Sequence, residues 1–184
     1  MSCGVYAQTE HMQFMGISID GKISAFQKEL KKMGFAPNNI AKDIPKEGFM
    51  DCRMYKGSFA EELVDLAVFY DRDSKMVIQT KVKMNGLSKD QADKKYDKLF
   101  NGLKEKYDKG NFDKNVLDNP DRYGIGVPNS DKTNFVGYIS LAKIAYADKY
   151  SVVLEYCDYA NFNDSVDREQ WWHKIAYLFF LVFK

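Results

Sequence analysis

The sequence predicts a two-layer α+β domain: an antiparallel sheet of five or six strands with two main helices on one face. The predicted order is β-α-β-β-β-α-β-β plus an apolar C-terminal helix. Three observations predict it. Apolar residues recur at helical spacing in two segments and at period two in the segments between them. Short turns join the successive strand segments, which makes neighbours antiparallel. The chain has 184 residues, 45% of them hydrophobic, and a domain of this length buries roughly 70% of its unfolded surface without a metal or disulfide staple.

His11 to Ile19 reads as a short strand broken by Gly16. Ile23, Phe26, Leu30 and Met33 then fall on one helical face. Asp20 is placed to cap the start of that helix, and Gly34 with Phe35 to stop it with a hydrophobic latch. Pro37, Asn38, Asn39, Pro45 and Gly48 mark 36–48 as a loop. Met50, Cys52 and Met54 alternate with Asp51, Arg53 and Tyr55. The next run has Val64, Leu66, Val68 and Tyr70 on one face and Leu63, Ala67 and Phe69 on the other, a strand buried on both sides. Asp71 to Lys75 is a hairpin loop leading into the half-wet strand Met76 to Met84. Ser88 with Gln91 forms a capping box, and Ala92, Tyr96, Leu99, Phe100, Leu103 and Tyr107 make the stripe of the second helix up to Gly110. Residues 110–133, with several Gly, Asn, Asp and Pro, read as a long surface excursion. Two strands over 134–146 and 151–159 follow, joined by a turn at Ala147-Asp148-Lys149. The organisation expected is therefore a leader remnant or disordered start over 1–9, one α+β domain over 10–165 and an apolar segment over 166–184.

Charge narrows the partners. Twenty-seven basic against 26 acidic residues leave a net +1, which removes the electrostatic case for nucleic acid or an anionic surface. The four arginines, Arg53, Arg72, Arg122 and Arg168, are scattered. In the C-terminal segment Ile175 to Phe183 is apolar without interruption, too short to span a bilayer that takes about 20 residues. With Asp164 or Ser165 as cap it is expected to form a helix from about 166 to 183, docked on the sheet face that the two main helices leave open. Trp171, Trp172, Phe179 and Phe183 are the residues of that segment expected to reach a partner or a membrane surface.

Val5-Tyr6-Ala7 before Gln8 fits the small-residue positions that a signal peptidase reads, although no basic and apolar leader precedes it. Cleavage there leaves Cys52 and Cys157, either as a disulfide or as two packed free thiols.

The segments His11-Met12-Gln13-Phe14-Met15-Gly16-Ile17-Ser18-Ile19-Asp20-Gly21, Tyr55-Lys56-Gly57-Ser58-Phe59-Ala60 and Asp90-Gln91-Ala92-Asp93-Lys94-Lys95-Tyr96 resemble a group of small secreted or envelope proteins of Gram-negative gut bacteria. The likeness covers about residues 10–165 and implies an exported α+β domain. It brings no activity and no catalytic residue. Trp171 to Lys184 departs from the polar ends usual in that group.

No constellation for catalysis, cofactor or metal emerges, and none is expected. Cys157 and His173 are the nearest thing to a nucleophile–base pair, with Asp158 or Asp164 as orienter, but only sequence proximity joins them. Asp71-x-Asp73 starts like a calcium loop and then has Met76 and Val82 where glycine and glutamate belong. Glu61-Glu62 reads as adjacent strand carboxylates on opposite faces. Gly124-Ile125-Gly126 lacks the flanking strand and helix of a dinucleotide turn. Aromatic residues are the one excess, and Tyr138, Tyr156, Tyr159 and Phe162 are the candidate interaction surface. The expected function is a secreted or periplasmic, non-catalytic binding module for a protein or small ligand. The alternative is a hydrolase with a carboxylate-based site in the 110–133 loop.

Overall fold

The computed structural model describes residues 10–38, 50–107, 112–114 (backbone only) and 121–165. A hairpin of β1 (Gln13–Phe14) and β2 (Ile17–Ser18) precedes α1 (Ile23–Lys32). The main sheet follows: β3 (Ala36–Pro37), β4 (Met50–Phe59), β5 (Glu62–Asp71) and β6 (Val77–Leu87). After α2 (Lys89–Tyr107) come β7 (Phe112–Lys114), β8 (Arg122–Pro128), β9 (Phe135–Tyr146) and β10 (Lys149–Asp158). The short α3 (Tyr159–Asp164) is the last described element. The sheet order is β3-β4-β5-β6-β10-β9-β8-β7, antiparallel at every pairing.

The α+β antiparallel class is as expected, whereas strand count and order are not. One sheet holds eight strands and the hairpin adds two. His11 to Ile19 is not one strand, because Met15 (φ 51°) and Gly16 (φ 81°) reverse the chain. The segment 110–133 was expected to be a loop on its glycines, yet it contributes β7 and β8. Glycine suits β8 because the Phe135 ring lies over Gly126, where a Cβ would come within 2.7 Å of it.

Register explains the layers. One cross-strand row runs Leu66–Val82–Leu154–Leu141–Tyr123 and the next Val68–Thr80–Tyr156–Ile139–Ile125. Ile23, Phe26 and Leu30 of α1 and Ala92, Tyr96 and Leu103 of α2 join this face in one core. The opposite face carries the rows Ala67–Lys81–Glu155–Ser140–Gly124 and Phe69–Gln79–Cys157–Tyr138–Gly126. Met50, Ala67, Phe69, Ile78, Cys157 and Phe162 form a second, smaller cluster there.

Local signals decide the helix ends. The capping box is present: Ser88 N donates to Gln91 Oε1 (2.9 Å) and Gln91 N to Ser88 Oγ (3.3 Å). Gly34 (φ 86°) stops α1, and Phe35 N donates to Leu30 O at 3.0 Å while its ring is buried over Gly57. Asp20 does not cap α1. Lys22 is the N-cap, without a side-chain bond, and Ile23 N donates instead to Lys75 O (2.9 Å). Met33 drops off the apolar face because it follows the last turn, and Leu63, expected to be buried, is 78% exposed beside a hairpin tip. Asp158 caps the short helix after β10, its carboxylate accepting from Asn161 N. The expected start over 1–9, the 36–48 loop beyond Asn38 and the helix of 166–183 lie outside the described residues. Among those described, no helix is long and apolar enough to cross a membrane.

Two positions invite stabilisation. Ala60 (φ 50°) and Glu61 (φ 69°) make the β4–β5 turn in the left-handed region, which costs a non-glycine residue about 1–2 kcal/mol. Ala60→Asn with Glu61→Gly is expected to raise stability by about 1 kcal/mol, and an unchanged melting temperature would count against the turn geometry. Thr80 is fully buried and its hydroxyl has no hydrogen-bond partner among the described residues. Thr80→Val should therefore raise the urea midpoint by an amount worth about 1 kcal/mol at unaltered m-value. A lower midpoint would mean the hydroxyl is bonded after all.

Candidate functional site

Among the described residues a concavity lies between the β1–β2 hairpin and α1, with a volume of about 470 Å³, inside the range of ligand pockets. Met15, Ile17, Ala25, Phe26 and Met33 supply its apolar wall, and Asp20, Lys28, Glu29 and Lys32 its polar rim. Met15 and Met33 are 36% and 41% exposed. Thioethers on flexible stems suit a surface that must adapt to an apolar guest.

The hairpin wall is held from below. Phe14 stacks on Phe59 (centroids 5.9 Å apart) and meets Tyr156 edge-on (5.5 Å). Asp158, fully buried, accepts from Met12 N (2.7 Å) and Asn161 N (2.9 Å), and His11 Nδ1 lies 3.2 Å from both its oxygens. Asn161 Nδ2 donates to Ile19 O (2.6 Å) and Val77 O (2.8 Å). A buried carboxylate and a buried amide, each satisfied, thus fix the hairpin to β6 and β10.

The four aromatic residues singled out from the sequence do not form one surface. Tyr156 points under the helices into the main core, since it pairs with Thr80 and Ile139. Tyr138, Tyr159 and Phe162 lie together elsewhere: Phe162 is buried in the second cluster, Tyr138 packs against it, and the rings of Tyr138 and Tyr159 are 6.0 Å apart. Burial pushes both of those phenols upward, Tyr138 strongly. Trp171, Trp172, Phe179 and Phe183, expected to reach a partner or a membrane surface, and His173, the candidate base for Cys157, lie outside the described residues.

The remaining chemical candidates separate cleanly. Cys52 and Cys157 are free thiols. They share a sheet face, but β5 and β6 stand between their strands, a separation of about 14 Å against a Cα limit near 7 Å for a disulfide. Burial raises Cys52 to about 12, and Cys157 is pushed up further for the same reason, the reverse of an activated nucleophile. Glu61 sits in the turn and Glu62 on β5, where it meets Lys95. Asp71 accepts from Asp73 N (3.0 Å) and Ser74 N (2.7 Å), the bonds of a hairpin loop. Burial opposes its ionisation, but these donors outweigh it and hold its carboxyl below the usual range. Among the described residues no group of three His, Cys, Asp or Glu is placed to hold a metal.

The far face carries a charged centre that sequence reading missed. Glu155, 1% exposed, lies 2.8 Å from Lys81 Nζ, accepts from Ser140 Oγ (2.8 Å) and stands 3.5 Å from Arg122 Nη2. Only register brings these four together. The groove was missed for a similar reason: Met15 read as strand and Met33 as core, and only the observed turn and helix end expose both. No family model, curated protein or solved structure matches the chain.

Proposed function

We propose that this chain is a non-catalytic binding module, acting in the periplasm or outside the cell, that holds an apolar part of a protein or small ligand in the groove between the β1–β2 hairpin and α1. The observation that carries this reading is the pair of exposed methionines on that groove's apolar wall. The apolar wall with a polar rim of both charge signs supports a binding role for this groove. Export is supported by Val5-Tyr6-Ala7 and by the secreted proteins that residues 10–165 resemble.

Methyl-labelled methionine resonances test the groove directly. Titration with the apolar dye anilinonaphthalene sulfonate is expected to shift Met15 and Met33 and to leave Met12, Met50 and Met84 in place. Met15→Lys with Met33→Lys should weaken dye binding at least tenfold without changing the melting temperature by more than a few degrees. Shifts confined to other methionines, or a double variant that binds like the parent, would overturn the proposal. For location, an intact Met1 on protein recovered from the envelope fraction would count against export.

A further inference from the structure

We propose that Met50, Cys52 and Met54 form a binding site for a soft monovalent metal cation of the copper(I) or silver(I) class. Strand period places the three sulfurs on one face of β4, where Met50, Cys52 and Met54 pair with Asp71, Phe69 and Ala67 of β5. All three belong to, or pack against, the second cluster, on the face away from the main helices. Cys52 Sγ and Met54 Sδ are already 4.0 Å apart. A cation held at about 2.3 Å by sulfurs at trigonal angles separates them by about 4.0 Å, so the first two ligands need no rearrangement.

The donor set selects the metal. One thiolate and two thioethers are soft ligands that favour copper(I), whereas magnesium, calcium and manganese require oxygen. Asp51 and Arg53 alternate to the other face of the strand and supply no competing donor. Cys52 and Met54 are half-buried, open enough for entry and dry enough that water competes poorly with a thioether. On binding, the Cys52 S–H bond breaks, its proton leaves to solvent and the sulfur lone pair forms the metal–sulfur bond. Cation and thiolate then sum to zero charge beside Phe69, which avoids leaving an unpaired charge on a half-dry face. No electron is transferred.

The test uses the reduced full chain, titrated with silver(I), and with copper(I) under exclusion of oxygen, against a competing chelator. One equivalent per chain is expected to bind, with sulfur neighbours at about 2.3 Å for copper(I) by X-ray absorption and longer ones for the larger silver(I). Cys52→Ser should abolish that binding, with Cys52→Ala as the second variant if serine unfolds the sheet. Met50→Leu and Met54→Leu keep the side-chain volume and should each weaken binding at least tenfold. Cys3→Ser and Cys157→Ser should bind like the parent. Because a proton is displaced, affinity should rise about tenfold per pH unit across the neutral range. Binding that survives Cys52→Ser, disappears with Cys3→Ser, or ignores Met54→Leu overturns the site.

Discussion

Glu155→Ala is expected to lower the unfolding free energy by about 3–5 kcal/mol, because it strips Lys81 and Arg122 of a shared buried counter-charge. Glu155 lies within 2.8 Å of Lys81 Nζ and 3.5 Å of Arg122 Nη2, and it also accepts from Ser140. The loss would come from the charges left behind rather than from the worth of the pair, and a cycle separates the two. Lys81→Met should be costly alone, since Glu155 then keeps only Arg122 and Ser140. Lys81→Met with Glu155→Leu should recover part of the loss, with a coupling of about 1–3 kcal/mol. Strict additivity in urea denaturation would show that the two groups do not interact.

Gly137→Ala is expected to be the most damaging glycine-to-alanine change among the described residues, costing more than about 4 kcal/mol or preventing folding outright. A Cβ at Gly137 would lie 2.1 Å from the carbonyl oxygen of Cys157 and 2.4 Å from Met12 Cγ. The methionine can move; the carbonyl belongs to the ladder between β9 and β10 and cannot. Met12→Ala should therefore fail to rescue Gly137→Ala. Gly126→Ala is the control, because its Cβ would meet only the half-exposed ring of Phe135 at 2.7 Å, and about 1–3 kcal/mol is expected there. If Gly126→Ala proves the worse of the two, the close approach at Gly137 is wrong.

Much of this architecture was legible where a local rule and the packing agree. Ser88 and Gln91 predict the start of α2 because the two bonds of a capping box depend on neighbours three residues apart. Gly34 and Phe35 predict the end of α1 for a similar reason. The strands β4, β5, β6, β9 and β10 follow from period two. Failures occur where distant residues decide. Gly124 and Gly126 belong to a strand because Ser140, Tyr138 and Phe135 occupy the space beside them, and composition carries no trace of that. Asp20 looks like a cap, but the backbone carbonyl of Lys75 reaches the helix start first.

Sites were less legible than the fold. Tyr138 and Tyr156 lie on neighbouring strands, and they face opposite sides of the sheet because of the β9–β10 register. The centre formed by Lys81, Arg122, Ser140 and Glu155 draws on four strands, β6, β8, β9 and β10, so no motif marks it. The groove depends on a turn at Met15-Gly16 that a continuous apolar pattern conceals. Met50-Asp51-Cys52-Arg53-Met54 is the exception, since its sulfur spacing can be read directly once the segment is known to be a strand.

The lock around Asp158 has a temporal consequence. Its carboxylate joins Met12 across 146 positions and His11 across 147. Closing a loop of that span is slow compared with forming neighbouring hairpins. The β4–β5 and β9–β10 ladders need only local closure, so they can form early, while the β1–β2 hairpin must wait for β10 and the first turn of α3. During synthesis, residues near the start therefore emerge first and find their seat last. Until that moment Phe14 and Ile19 lack their burial sites, and the wall of the groove does not exist. Hydrogen exchange during refolding should see protection at Ile19 N and Met12 N arrive after protection in β4, β5, β9 and β10. Completion of the groove, on this account, is a late event in the life of each molecule, and it reports that β10 has arrived.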